Sequence, residues 1–143
     1  MIILDTNVLS ALCREEPEER VLVWLNEQPG ESIWTTSITI YETRFGIELM
    51  ALGRKRERLE RELNNFIAVD LENRVLPFDT HAANAAGTLA AQHRRAGRAV
   101  EIRDVQIAGI AAARKATLAT RNTRHFEGIG LSLVNPWIAN SST

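Results

Sequence analysis

The feature that most constrains this chain is its opening. Three apolar residues, Ile2, Ile3 and Leu4, stop at an acid, Asp5, and the pattern turns at once to helical spacing. A run that short and that uniformly apolar has no face for water, so it predicts a strand buried on both sides, as in parallel sheets. The alternation recurs. Val8, Leu9 and Leu12 begin a helix that Thr6 or Asn7 would cap, and residues 19–26 form a second piece before Pro29-Gly30 stops it. Residues 32–36 read as a second strand, and a helix follows from Ser37 or Thr39 to Gly53. Residues 54–69 carry Leu59, Leu63, Phe66 and Ile67 on one helical stripe.

Residues 75–78 read as a third strand. Asp79 or Thr80 caps an alanine-rich helix ending near Gly97, residues 104–115 form another helix, and residues 117–120 and 131–134 are the last strands. Short strands alternating with helices of ten or more residues imply right-handed crossovers. The expected fold is therefore α/β: a short parallel sheet covered by helices on both faces. At 143 residues the chain is long enough for one core and short for two, so residues 1–139 read as a single domain, with a frayed polar tail at 140–143.

Several classes drop out. The longest apolar or small run, residues 107–113, is about a third of the ~20 residues that span a bilayer, and Met1 opens without a basic leader, so no membrane association is expected. One cysteine, Cys13, and three scattered histidines show no zinc-ligand spacing and suit a reducing cytoplasm. A net charge of −1 argues against a protein that grips long duplexes through many phosphates. Its positive charge is nearly all arginine, densest at residues 54–58, where Glu57 to Arg61 and Arg58 to Glu62 suit helical ion pairs.

In parallel α/β sheets ligands bind at the carboxyl ends of the strands. That edge collects Asp5 after the first strand, Asn122 after residues 117–120, and Glu42 and Asp104 in the first turns of two helices. Crowded carboxylates need a cation, and an all-oxygen acidic set suits Mg²⁺ or Mn²⁺. Each residue also has an ordinary reading: Asp104 as an N-cap, Thr39 to Glu42 as a capping box, Asp5 and Asn122 as turn residues. The chain has only four aspartates, however, and two of them join Glu42 at one edge. Asp79 and Glu101 fall near the same edge and read as caps or surface charges.

Four ordered segments, Asp5-Thr6-Asn7-Val8-Leu9-Ser10, Thr39-Ile40-Tyr41-Glu42-Thr43-Arg44-Phe45-Gly46, Asp104-Val105-Gln106-Ile107-Ala108 and Ala119-Thr120-Arg121-Asn122-Thr123-Arg124-His125-Phe126, resemble the PIN-domain ribonucleases. The likeness is strongest to the VapC and FitB-like toxins of type II toxin–antitoxin modules, and Leu76-Pro77-Phe78-Asp79 and Asn135-Pro136-Trp137 extend it along the chain. The resemblance implies a PIN-like three-layer sandwich and a metal-dependent endoribonuclease with Asp5, Glu42, Asp104 and Asn122 as its site. It places Thr6 and Thr120 as hydroxyls that orient carboxylates or water. It also implies a cognate antitoxin and a homodimer, for which residues 8–12 and 45–52 offer apolar surface. Arg44, Arg121 and Arg124 lie nearest the site in sequence and are the expected contacts to single-stranded or looped RNA.

Rival classes fit less well. A phospho-acceptor receiver needs an acidic pair after the first strand and a lysine after the fifth, and neither Lys55 nor Lys115 is so placed. An aspartyl phosphatase wants an acid where Asn7 stands. No serine-hydrolase elbow or phosphate-binding glycine loop is present. A non-catalytic interaction module finds support only in the missing fourth carboxylate.

Overall fold

The computed structural model describes residues 1–138. In chain order its elements are β1 (Ile2–Leu4), α1 (Thr6–Cys13), α2 (Glu19–Asn26), β2 (Ile33–Thr36), α3 (Ser37–Glu48), α4 (Arg54–Asn65), β3 (Val75–Leu76), α5 (Thr80–Arg95), α6 (Ile102–Arg114), β4 (Thr117–Ala119) and β5 (Ser132–Val134). The five strands form one sheet in the order β3-β2-β1-β4-β5, and every pairing is parallel. From β1 the chain moves outward to β2 and β3, then returns to lay β4 on the other side of β1. That reversal opens a crevice at the carboxyl ends of β1 and β4, where such sheets bind ligands.

Neighbouring residues of β1 serve opposite faces, as a pleated strand requires. Leu4 joins Val8, Leu9, Trp24, Leu63 and Phe66 in one core, and Ile3 joins Ile107, Ile110, Leu118 and Phe126 in the other. The alanines of α5 have a use of their own. A Cβ on Gly109 of α6 would lie 2.6 Å from the Ala82 carbonyl oxygen and 2.7 Å from the Ala86 Cβ, so the two helices meet at backbone distance.

The structure corrects several local expectations. Asp5, rather than Thr6 or Asn7, caps α1, its Oδ1 accepting the Thr6 N–H at 2.8 Å. Thr36 caps α3 by accepting the Thr39 N–H at 3.0 Å, so Thr39 is no cap and no capping box reaches Glu42. Glu101 caps α6 by accepting the Asp104 N–H at 2.9 Å, which leaves the Asp104 carboxylate unused by its own helix. Asp79 caps α5, as expected.

The helix expected to reach Gly53 stops at Glu48, where the Arg56 guanidinium donates to the Glu48 and Met50 carbonyls. Residues 54–69 are not one α-helix. After Asn65 a π turn over Phe66–Asp70, closed by the Leu71 N–H to the Phe66 carbonyl at 2.8 Å, lets Phe66 and Leu71 both enter the core. The expected Glu57–Arg61 and Arg58–Glu62 pairs give way to Arg56–Glu60, Arg56–Glu48 and Arg58–Glu15, because Arg56 and Arg58 turn toward neighbouring segments. Residues 8–12 are not a free surface either, since Val8, Leu9 and Ala11 are buried in the core. No helix among the described residues is long and apolar enough to cross a membrane. The expected tail at 140–143, and the domain limit at 139, lie outside the described residues.

Candidate active site

The site follows from sheet register. Leu4 pairs with Ala119, and the Asp5 N–H donates to the Ala119 carbonyl at 2.9 Å, so the next residue of each strand, Asp5 and Thr120, must lie side by side. The Thr120 hydroxyl donates to Asp5 Oδ2 at 2.7 Å. Asn7, one residue into α1, locks the same corner. Its amide nitrogen reaches Asp5 Oδ2 and Thr120 Oγ1, both at 3.4 Å, while its Oδ1 accepts the Arg121 N–H at 3.0 Å.

Two helices bring the other acids. In α3, Glu42 stands in the second turn, and its Oε1 accepts the Thr6 hydroxyl at 2.8 Å. In α6, the Asp104 Oδ2 lies 2.8 Å from His125 Nδ1. Asp5 is 4% exposed, and its pKa is pushed up to about 6. Burial is the largest cause, opposed by the hydrogen bonds from Thr120 and Thr6, and the like charges of Asp104 and Glu42 add to the rise. The three carboxylates thus share one electrostatic neighbourhood.

Asn122 lies in the turn after β4. Its N–H donates to Thr120 Oγ1 at 3.1 Å and its carbonyl accepts from the His125 N–H, while its exposed side-chain amide makes no hydrogen bond among the described residues. The turn therefore does not depend on that amide. Of the expected RNA contacts, Arg44 is turned to Asn64 on α4 at 3.0 Å, and Arg121 lies over the Trp137 ring, 4.8 Å from its centre. Arg124 is exposed beside Asp104 and His125.

Three residues were not placed in the site from sequence: Asn7, read only as a possible helix cap, Arg103 and His125. Arg103 approaches Glu42 Oε2 at 3.6 Å and lies 5.9 Å from the centre of the Tyr41 ring. The signals were slight, since Arg103 merely precedes Asp104 and His125 falls one helical turn after Asn122.

The residues fit a hard divalent cation: three carboxylates and an amide, all oxygen donors, with a buried acid that resists ionisation beside two others. Among the described residues no three His, Cys, Asp or Glu side chains are grouped tightly enough to form a finished cage. Glu42 and Asp104 are turned instead toward Thr6, Arg103 and His125. Binding a cation would therefore require these two side chains to swing inward.

A parallel α/β sheet with carboxylates gathered near its switch point defines an acidic cleft, and residues 2–130 match the PIN domain family. The chain belongs to that family, and within it to the VapC and FitB-like group. It is 39% identical to the VapC ribonuclease Y4jK of Sinorhizobium fredii, over 96% of this chain and 98% of that one. It is 34% identical to the toxin FitB of Neisseria gonorrhoeae, over 96% and 99%. The crystal structure of FitAcB from Neisseria gonorrhoeae superposes with a TM-score of 0.86 at 34% identity, covering 96% of this chain and 99% of that one.

Proposed function

We propose that this chain is a metal-dependent endoribonuclease acting as the toxin of a type II toxin–antitoxin module, with Asp5, Glu42, Asp104 and Asn122 as its site. The observation that carries the reading is the buried carboxylate of Asp5, whose proton affinity is raised by burial and by two further acids at one strand edge. Relatives named as a ribonuclease and as a toxin support the activity and the role. The ion is Mg²⁺ or Mn²⁺, as the all-oxygen donors favour.

A divalent ion held by Asp5, Glu42 and Asp104, with Asn122 at its rim, would supply Lewis-acid activation of water and neutralise charge at the phosphate. The rest falls to the chain itself. Thr120 and the Thr6 N–H hold the Asp5 carboxylate in one orientation, and the Thr6 hydroxyl keeps Glu42 in the neighbourhood of Asp5. Asn7 ties the start of α1 to the turn after β4, so the two sides of the crevice keep their spacing. Arg103 stands at the rim as a cation for the phosphates of a single strand, with Arg124 beside the cleft as a further RNA contact. In the hydrolysis a P–O bond forms to water as the bond to the leaving oxygen breaks, and that oxygen takes up a proton.

A cognate antitoxin is the expected inhibitor and a second copy of this chain the expected neighbour. With Val8, Leu9 and Ala11 buried, the more open of the two expected surfaces is on and just past α3, where Tyr41 and Phe45 stack and Leu49 and Leu52 are exposed. The purified protein should cleave single-stranded RNA with Mg²⁺ or Mn²⁺ and stop on addition of chelator. Cleavage that persists in chelator, or in Asp5→Asn, would remove the metal-dependent reading. Phosphorylation by a small phospho-donor would favour the receiver class instead.

A further inference from the structure

Beside the acidic cleft lies a cavity of about 510 Å³, bounded by the link between α5 and α6, the first turns of α6 and the turn over Thr123–Phe126. We propose that it is a subsite for one unpaired nucleobase of the RNA strand, an inference that rests on the ribonuclease reading and adds a specificity pocket to it. Its volume lies within the range of small-ligand pockets. Val105, Ala108, Phe126 and Ile129 supply its apolar lining, and His93, Arg98, Arg124 and His125 its planar polar groups.

That mixture selects the ligand. Guanidinium and imidazole planes stack on nucleobases, and an apolar floor accepts their faces. Glu101 and Asp104 also line the cavity, and two carboxylates disfavour a free anion, whereas they can accept hydrogens from the amino edges that bases carry. An aliphatic ligand would leave the Arg124 guanidinium and the spare edges of the other polar groups without a partner on burial. The cavity is therefore suited to a base rather than to a phosphate or an acyl chain.

Its position ties it to catalysis. Of the four proposed site residues only Asp104 lines the cavity, so one carboxylate belongs both to the cleft and to the pocket next to it. A strand whose phosphate lies in the cleft can seat a neighbouring base there. One wall is already fixed: Arg98 donates to the Glu127 carbonyl at 3.1 Å and packs on Gly128, where a Cβ would stand 3.1 Å from the guanidinium and φ is +79°. Arg124, by contrast, has no hydrogen-bond or ion-pair partner among the described residues and is free to close over a ligand.

The test reads binding without turnover. Single-stranded hexaribonucleotides, each with one abasic position, are titrated in chelator against the wild type and against His93→Ala/Arg124→Ala, with fluorescence anisotropy as the signal. At one position base removal should weaken wild-type binding about tenfold. The double variant should bind the intact strand about tenfold more weakly and lose nothing further on base removal, because both changes delete one contact. Arg124→Ala alone, at an exposed side chain that cannot threaten the fold, should show part of the same coupling. Losses that multiply at every position, or no position sensitive to base removal, would overturn the subsite. Metal-dependent cleavage of the same strands is followed in parallel: cleavage without coupling sinks the pocket alone, and coupling without cleavage sinks the ribonuclease reading alone.

Discussion

Along α6, residues little more than one turn apart belong to two regions built on opposite terms. Gly109 sits so close to Ala82 and Ala86 that no added methyl has room, and the seam it makes with α5 is close-packed and apolar. Asp104 opens the same helix with its carboxylate released from capping, turned toward His125 and toward a neighbourhood that already holds Asp5 and Glu42. The seam gains by filling space. The edge instead holds like charges together at a cost in stability, the usual signature of a site arranged for a ligand. Substitutions at the edge should therefore lower activity without lowering stability, and substitutions at the seam should lower stability with little effect on activity.

The largest effect is expected at Asp5. Asp5→Asn should lower RNA cleavage by about 10³-fold or more, on the order of 4 kcal/mol, while stability in chelator at pH 7 stays equal or rises. Asn suits the test better than Ala because it can still cap α1. Denaturant unfolding beside single-turnover cleavage decides the matter. A clear loss of stability would make Asp5 a cap like any other and dissolve the contrast.

Next in size is the pH dependence that Asp5 should impose. Its folded pKa of about 6 lies above the ordinary 3.8, so the folded state holds the proton more tightly. The stability this contributes is fully present below about pH 3.8 and is lost as pH rises through 6. In chelator, Asp5→Asn should thus gain on the wild type between pH 4 and pH 7.5, by at most about 3 kcal/mol, and divalent metal should narrow the gap. A gap constant with pH would show that Asp5 is not the group responsible.

The seam supplies the converse. Gly109→Ala should cost about 2 kcal/mol, since α5 must shift to relieve a contact with its own backbone. Activity per folded molecule should change little. A stable Gly109→Ala protein that cuts RNA poorly would mean that helix spacing, not local chemistry, sets the position of Asp104.

How much of this could be read from the chain alone divides along the same line. The parallel sheet was legible because Ile2-Ile3-Leu4 leaves no face for water, and the acidic edge because strand ends locate Asp5 and Asn122 without knowledge of packing. What escaped depends on contacts between distant segments. Glu101 displaced Asp104 as the cap, the π turn after Asn65 answers to burial of Phe66 and Leu71, and His125 matters only because α6 ends up against the turn after β4. Gly109 showed no sign of its role, because a small residue in an alanine-rich helix looks the same at a seam or in solvent. Arg44 was placed by sequence proximity to Glu42, but their side chains go to different neighbours: Arg44 bonds Asn64 and Glu42 bonds Thr6.

The smallest effect sharpens the comparison most, because Asn122 belongs to the edge without adding charge to it. Its amide is exposed and makes no hydrogen bond among the described residues, and the turn it occupies is held by its backbone, N–H to Thr120 and carbonyl to His125. A turn amide kept for its own backbone would be engaged; this one is available. If it faces a bound cation, a carboxylate there would add attraction of about 1 kcal/mol at an exposed position, or roughly fivefold in affinity. Asn122→Asp should then lower the Mg²⁺ or Mn²⁺ concentration for half-maximal cleavage by about that factor, and Asn122→Ala should cost far less activity than Asp5→Asn. Titrating metal against the wild type and Asn122→Asp reads this directly. An unchanged half-saturation point would remove Asn122 from the site, leaving the cation to Asp5, Glu42 and Asp104.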